Sequence, residues 1–298
     1  MQLGWLRTFL AVYRTDSFTK AARQLQLSQP AVTQQIRALE AELDKPLFRR
    51  SAAGVRPTPA ADRLATAIVG PIDALDETIS RHFHPESPER PLYLGGPAEL
   101  ITARVLPALS DLICDGLQLR IGFGMAEDLL ADLLEGSYDL VLSTIRPRTR
   151  GIDAIPLTDE EFLLVGSPEI AQRLDAGALE SLGPAVLQEF PVIAYAEMLP
   201  IIRRYWRTVF DVKPTVSPAV VVPDLRGVLS AVKSGAGISV LPSYLCQEEL
   251  ACGEIVPLLE PEIPPINTLY LAARAGTARH RRISLVKGQL LMKAQVWT

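Results

Sequence analysis

Residues 17–50 read SFTKAARQLQLSQPAVTQQIRALEAELDKPLFRR. Ser17 and Ser28 each stand where a hydroxyl can cap a helix, and Pro30 falls early in the second of the two helices, where a missing N–H costs least. The first helix spans about 18–25, and its Ala21-Ala22 pair leaves room for close packing. The second runs to about Leu43 with Val32, Ile36, Leu39 and Leu43 on one face, and Lys45-Pro46 ends it. Two helices with a tight turn between them, the second opening on short polar side chains, are the core of a helix-turn-helix.

Working outward, residues 3–13 repeat apolar positions at helical spacing: Leu3, Leu6 and Leu10, widened by Trp5, Phe9 and Val12. Downstream, Leu47-Phe48-Arg49-Arg50, a small-residue turn Ser51-Ala52-Ala53-Gly54 and Val55-Arg56-Pro57 predict a β-hairpin. Three helices and a hairpin describe a winged helix-turn-helix. Its charge agrees: residues 1–60 hold nine Lys/Arg and four acids, a net +5 that leaves −9 for the rest of a chain whose total is −4. A basic head on an acidic body points to one polyanion-binding part and one part with another task.

The start of the second helix fits a recognition helix. Gln side chains can pair with adenine and Thr can meet a thymine methyl in the major groove. Ser28, Thr33, Gln35 and Arg37 suit phosphate contacts, and Arg49, Arg50 and Arg56 on the hairpin can follow the backbone or reach a minor groove.

Thr58 caps a long helix expected to reach about Arg81. Leu64, Ile68, Ile72, Leu75 and Ile79 form a stripe on it, suited to pairing with a second copy or to packing on the chain's own body. Gly70-Pro71 should kink this helix. The polar, proline-rich HPESPERP (84–91) reads as a stiff linker. Beyond it, strands are expected at 92–96, 117–123, 138–144, 162–167, 192–196, 217–222, 238–241 and 268–273. Helices are expected at 99–113, 127–135, 199–210 and 224–234. That alternation predicts α/β architecture with largely parallel sheets, enough chain for two subdomains. The expected division is a DNA-binding domain at 1–57, a dimerising linker helix at 58–84 and a hinge at 85–91. Effector subdomain I follows at 92–162 and 267–298, with subdomain II at 163–266.

Ligands of such sheets sit beyond the carboxyl ends of strands. The candidate effector-binding residues are therefore Pro97, Ala98, Glu99, Gly124, Met125, Ser143, Thr144, Tyr195, Glu197, Val222 and Asp224. Glu99 either meets a cationic or amine-bearing effector or simply favours a helix dipole from the first turn.

The run from Ser17 to Arg50, followed by RPTPA, resembles the N-terminal signature of the LysR-type transcriptional regulators over about residues 3–65. Farther on, GAGISVLP (235–242) and GSYDL (136–140) are similar to short pieces of the same family. The resemblance implies a winged helix-turn-helix, a dimerising linker helix and a periplasmic-binding-protein-like effector domain of two subdomains. It also implies dimers or dimers of dimers on an inverted repeat in promoter DNA, a small-molecule effector, RNA polymerase as a further partner and a bacterial source. Base contacts would then fall to Gln29, Pro30, Thr33 and Gln34. Asp16, Asp44 and Ala61 stand where the family often has Gly, and Asp tolerates left-handed backbone better than most residues. Gln34 replaces a commonly basic residue, so base preference does not transfer.

Other classes find little footing. No phosphate loop and no Gly-x-Ser-x-Gly elbow occurs, so no enzyme is expected, nor a cofactor. Cys114, Cys246 and Cys252, with His82, His84 and His280, match no metal-ligand spacing. No apolar run is long enough to span a membrane and no secretory signal opens the chain, so a cytoplasmic location is expected. The alternative function is a DNA-binding regulator whose C-terminal domain is ligand-blind or responds to redox through Cys246 and Cys252.

Overall fold

The computed structural model describes residues 2–51, 54–83, 90–175, 177, 179, 182–277 and 280–297; the side chains at 50, 51, 54, 73, 74 and 76–83 also lie outside the described set. The chain divides into two compact units. Met1–Gly96, Asp111–Ile155 and Leu271–Gln289 make the first, and Pro97–Ser110, Pro156–Tyr270 and Leu290–Thr298 the second.

The first unit opens with α1 (Leu3–Thr15), α2 (Phe18–Gln24) and α3 (Gln29–Leu43). The antiparallel hairpin β1 (Phe48–Ser51) and β2 (Gly54–Pro57) follows, then α4 (Pro59–Phe83). Local chemistry sets the boundaries. Ser17 and Ser28 accept hydrogen bonds from the amides of Lys20 (3.2 Å) and Ala31 (3.3 Å), capping α2 and α3. Asp16 and Asp44 each take φ +48°, the left-handed geometry expected at the ends of α1 and α3. Thr58 bonds Pro46 O (2.8 Å) and accepts from Ala61 N (3.3 Å), so one hydroxyl ties the root of the hairpin to the cap of α4. Phe9, Val12, Ala21, Val32 and Leu39 are fully buried at the centre, and Phe48 brings the hairpin in against Phe9 (5.6 Å) and Phe18 (6.0 Å).

The stripe on α4 is largely spent at home. Ile72 is buried and Leu64 and Ile68 are half-buried in this core, alongside buried Ala61, Ala65 and Val69. Leu75 is 38% exposed, and the side chain of Ile79 is outside the described residues. The expected hinge falls mostly on residues 84–89, also outside them.

After that come β3 (Leu92–Gly96), α5 (Ala98–Leu100, a π turn Ile101–Val105, and Leu106–Ala108), α6 (Ser110–Cys114), β4 (Leu119–Phe123), α7 (Ala126–Glu135), β5 (Leu140–Ser143) and β6 (Ile152–Gly166). Then follow α8 (Pro168–Arg173), β7 (Ile193–Ala194), α9 (Pro200–Phe210), β8 (Val220–Val221), α10 (Leu225–Lys233), β9 (Ser239–Pro242), α11 (Ser243–Ala251), β10 (Val256–Pro257), β11 (Ile266–Arg274) and α12 (Arg281–Ala294). β6 and β11 carry the chain between the units.

In the first unit β3 is flanked in parallel by β4 and β5, with β11 beside β5. Gly136 (φ +91°) ends α7, and Ser137 N bonds Asp132 O (2.9 Å), which turns the chain into β5 as expected for GSYDL. Arg274 binds the carbonyls of Leu133 (2.9 Å) and Tyr138, fastening that turn from β11.

In the second unit β6 pairs antiparallel with β9 and β10, and β7 pairs parallel with β8. The sheets are thus mixed, not largely parallel, since β6 runs opposite to both β9 and β10. Its core includes Phe162, Leu164, Tyr205, Trp206 and Val240. The glycine of Gly237-Ile238-Ser239 is required by close approach: a Cβ there would lie 2.2 Å from Pro191 O.

Two departures in extent and one missed helix have physical reasons. The strand foreseen at 162–167 begins ten residues earlier, where IDAIPLTDEE lacks a strand-like apolar alternation. The helix foreseen at 99–113 breaks into α5 and α6 at Leu109, whose backbone (φ −99°, ψ 3°) leaves helical geometry. The polar N-terminus of α12, RRIS, gave no helical signal.

Candidate DNA interface and effector site

Two faces of α3 divide the work. Val32, Ile36 and Leu39 are buried, whereas Gln29, Pro30, Gln34 and Arg37 are exposed, one helical turn apart in two rows. Thr33 is half-buried on the same side as Gln29 and donates its hydroxyl to Gln29 O (3.0 Å). Ser28 is exposed at the cap. Gln35 departs from this set: it is half-buried and accepts a hydrogen bond from Thr8 of α1 (2.5 Å), so it braces the helix pair.

On the hairpin Arg49 and Arg56 are exposed and stand directly opposite in the strand register. Like charges at such a pair repel, and an anion between them would relieve the cost. Arg50 lies opposite Val55 in the register, and its side chain is outside the described residues. A residue absent from the sequence reading fixes where these arginines stand. Glu40 of α3 accepts the amides of Leu47 (2.6 Å) and Phe48 (3.1 Å) on one carboxylate oxygen, pinning the first strand of the hairpin to the helix. Its signal in the sequence, an acid seven residues before a buried leucine, is too common to read. Lys20 of α2 is held by Glu135 at 2.6 Å, an exposed pair of little energetic weight.

The strand-end residues fall in both units. In the first, Gly124 and Met125 follow β4, and Met125 is 47% exposed. Ser143 is fully buried and its hydroxyl both donates to Ile145 O (2.7 Å) and accepts from Ile145 N (3.2 Å), so it serves its own turn; Thr144 beside it is half-buried.

In the second unit Pro97, Ala98 and Glu99 begin α5, all half-buried. Burial raises the Glu99 carboxyl, and Asp224 adds to the rise while the Glu99 backbone amide and Arg226 oppose it. A helix dipole alone would lower it. Asp224 is committed elsewhere: it caps α10 through Arg226 N (2.9 Å) and pairs with the Arg226 guanidinium (2.6 Å), whose hydrogen bond holds its carboxyl low. Tyr195 and Val222 are half-buried, and Glu197 is exposed.

Sequence reasoning missed Glu160. It is 7% exposed on β6 and accepts from Asn267 Nδ2 (2.9 Å). Burial pushes its carboxyl up to about 7, with the charge of Glu99 adding and the Asn267 hydrogen bond and Arg204 subtracting. In the run DEEF it looked like one surface acid among several. Cys246 is fully buried and burial pushes its thiol up to about 12, which keeps it protonated; Cys114 and Cys252 are exposed. Among the described residues no group of three or more His, Cys, Asp or Glu is placed to hold a metal ion, and no helix is long and apolar enough to cross a membrane.

Comparison with known proteins agrees in both parts. Residues 3–62 match the family model described as bacterial regulatory helix-turn-helix protein, lysR family, and residues 85–295 match the LysR substrate binding domain. The chain is 46% identical over 300 residues to the HTH-type transcriptional regulator AbaB of Streptomyces antibioticus, covering 100% of both. It is 34% identical over 194 residues to a probable hydrogen peroxide-inducible genes activator of Mycobacterium avium, covering 63% of this chain and 62% of that one. Among solved structures it is similar to full-length LysG of Corynebacterium glutamicum with bound effector Arg (TM-score 0.66, 20% identity, 99% and 98% coverage). It is also similar to ArgP of Mycobacterium tuberculosis (TM-score 0.63, 20% identity, 99% and 98% coverage).

Proposed function

This chain belongs to the LysR family of bacterial transcriptional regulators, with a helix-turn-helix for DNA and an effector-binding domain, and from that premise we propose how its own residues divide the task. Gln29, Pro30, Thr33 and Gln34 read base edges from the exposed face of α3. Ser28, Arg37, Arg49, Arg50 and Arg56 hold phosphates, which fix register without specifying sequence. The observation that carries this is the split of α3 into a buried apolar face and an exposed polar one beside an opposed arginine pair. Gln35 belongs with the phosphate contacts through its Nε2 donors, since Thr8 engages only its carbonyl oxygen.

Residues 1–57 bind DNA, 58–84 link and pair two copies, and the segments after the hinge at 85–91 form the two effector subdomains. Leu75, with the outer parts of half-buried Leu64 and Ile68, is what the described part of the α4 stripe leaves for a second copy. The effector meets strand-end residues such as Glu99 and Tyr195 of the second unit and favours one arrangement of the subunits over another, as any ligand that shifts an equilibrium must. The site of action is promoter DNA in the cytoplasm, with RNA polymerase as the machinery regulated.

Fluorescence anisotropy on DNA from upstream of the coding region, titrated with salt and nonspecific competitor, tests this. Saturable binding that survives competitor is expected, and Gln34→Ala should reduce discrimination between sites more than it reduces nonspecific affinity. Binding that competitor removes equally for every sequence would leave only an electrostatic DNA binder.

A further inference from the structure

We infer that the second unit carries a binding site for a small organic carboxylate, built on Arg104, Gln247 and Tyr244 and distinct from the strand-end residues. A cavity of about 500 Å³ lies among α5, α10 and α11, lined by Arg104, Leu229, Ser230, Tyr244, Leu245 and Gln247 with charged residues at its margin; none of the strand-end residues lines it. That volume suits a ligand of metabolite size.

Arg104 is the unusual member. Its Nη2 donates to Gln247 Oε1 (3.0 Å), and its guanidinium lies 5.7 Å from the centre of the Tyr244 ring. Its Nε is buried without a hydrogen-bond partner. Among the described residues no carboxylate pairs with it, whereas the other two cations of the lining are engaged: Arg226 with Asp224 (2.6 Å), and Lys233 with Glu254 (2.7 Å) and Glu249 (3.4 Å). A buried donor left unmade costs free energy, and an unpaired guanidinium facing a cavity needs a reason.

The backbone supplies a second pointer. Arg104 sits in the π turn Ile101–Val105, an insertion that turns side chains out of ordinary helical register and recurs at functional positions. The stacked, hydrogen-bonded guanidinium is pre-oriented, so its planar fork is ready for the two oxygens of a carboxylate. Leu229, Leu245 and the Tyr244 ring offer the apolar wall for the body of the ligand. Glu248 is exposed at the margin and Glu249 is taken by Lys233, so neither neutralises Arg104.

Phenylacetate and its uncharged isostere phenylacetamide serve as probes in isothermal titration of the full chain near neutral pH. Phenylacetate should bind saturably and roughly tenfold or more tighter than phenylacetamide, the contribution of hydrogen bonds to a charged group. Arg104→Gln should erase the preference, and Arg104→Lys, which keeps charge but not the fork, should bind more weakly than wild type. Ser230→Trp, on an exposed position of the lining, should block both probes and decides the matter if Arg104→Gln does not melt cooperatively. Absence of saturable phenylacetate binding, equal affinity for the two probes, or phenylacetate binding that survives Ser230→Trp would each overturn the proposal.

Discussion

Removing the Glu40 carboxylate should loosen the hairpin from the recognition helix without unfolding either. Its single oxygen accepts two backbone amides, Leu47 N at 2.6 Å and Phe48 N at 3.1 Å. Leu47 is 1% exposed, so its amide has no ready access to water once the acceptor is gone. A buried amide left unsatisfied costs about 1–3 kcal/mol, and the Phe48 amide, nearer solvent, costs less. Glu40→Ala should therefore lower the local opening free energy by roughly 2–3 kcal/mol, while Glu40→Gln, which keeps an acceptor oxygen and loses the charge, should lose about 1 kcal/mol. Amide hydrogen exchange reads this directly, because local opening is measured without assuming that the whole chain unfolds in one step. The Leu47 and Phe48 amides should exchange roughly 30- to 150-fold faster in Glu40→Ala and several-fold faster in Glu40→Gln, with amides of α1 little changed. Exchange within about threefold of wild type in Glu40→Ala would show that the carboxylate holds nothing, and equal acceleration in both variants would show that side-chain volume, not hydrogen bonding, is at work.

Two further outcomes follow from particular residues. Unfolded, Glu160 loses its proton near 4.5; folded, it keeps it to about 7, so the folded chain holds more protons in between and stability should fall as pH rises through that window. Melting temperatures from pH 5 to 8 should show that decline, shallower in Glu160→Gln, and identical slopes would exclude Glu160 as its source. Gly237→Ala drives a Cβ to 2.2 Å from Pro191 O and should destabilise by about 3 kcal/mol or more, whereas Gly288→Ala in α12, with nothing within 4 Å, should be neutral or stabilising by up to about 1 kcal/mol. Equal urea midpoints for the two variants would refute the crowding at Gly237.

The helix-turn-helix was legible because its determinants are local. Caps at Ser17 and Ser28 and left-handed turns at Asp16 and Asp44 are decided by residues within four positions of each other, and they stand where the sequence put them, as do the paired strands of the hairpin. The exposed residues Gln29, Pro30, Gln34 and Arg37, with half-buried Thr33 beside them, follow from helical spacing alone. The effector domain was legible as α/β alternation, but the long strand 152–166 was not, since its first ten residues lack an alternating pattern and the strand pairs with β11, more than a hundred residues on.

What tertiary structure alone decided is which polar side chains are spoken for. Gln35 and Thr8 meet across 27 residues, Glu160 and Asn267 across 107, and Arg104 and Gln247 across 143. No local pattern marks an acid as buried or a guanidinium as unpaired, because both depend on the solvent and partners that folding removes or supplies. The sequence by itself determined the class of protein and the exposed polar face of α3; the burial of Glu160, the pinning of the hairpin by Glu40 and the cavity at Arg104 exist only once distant segments pack together.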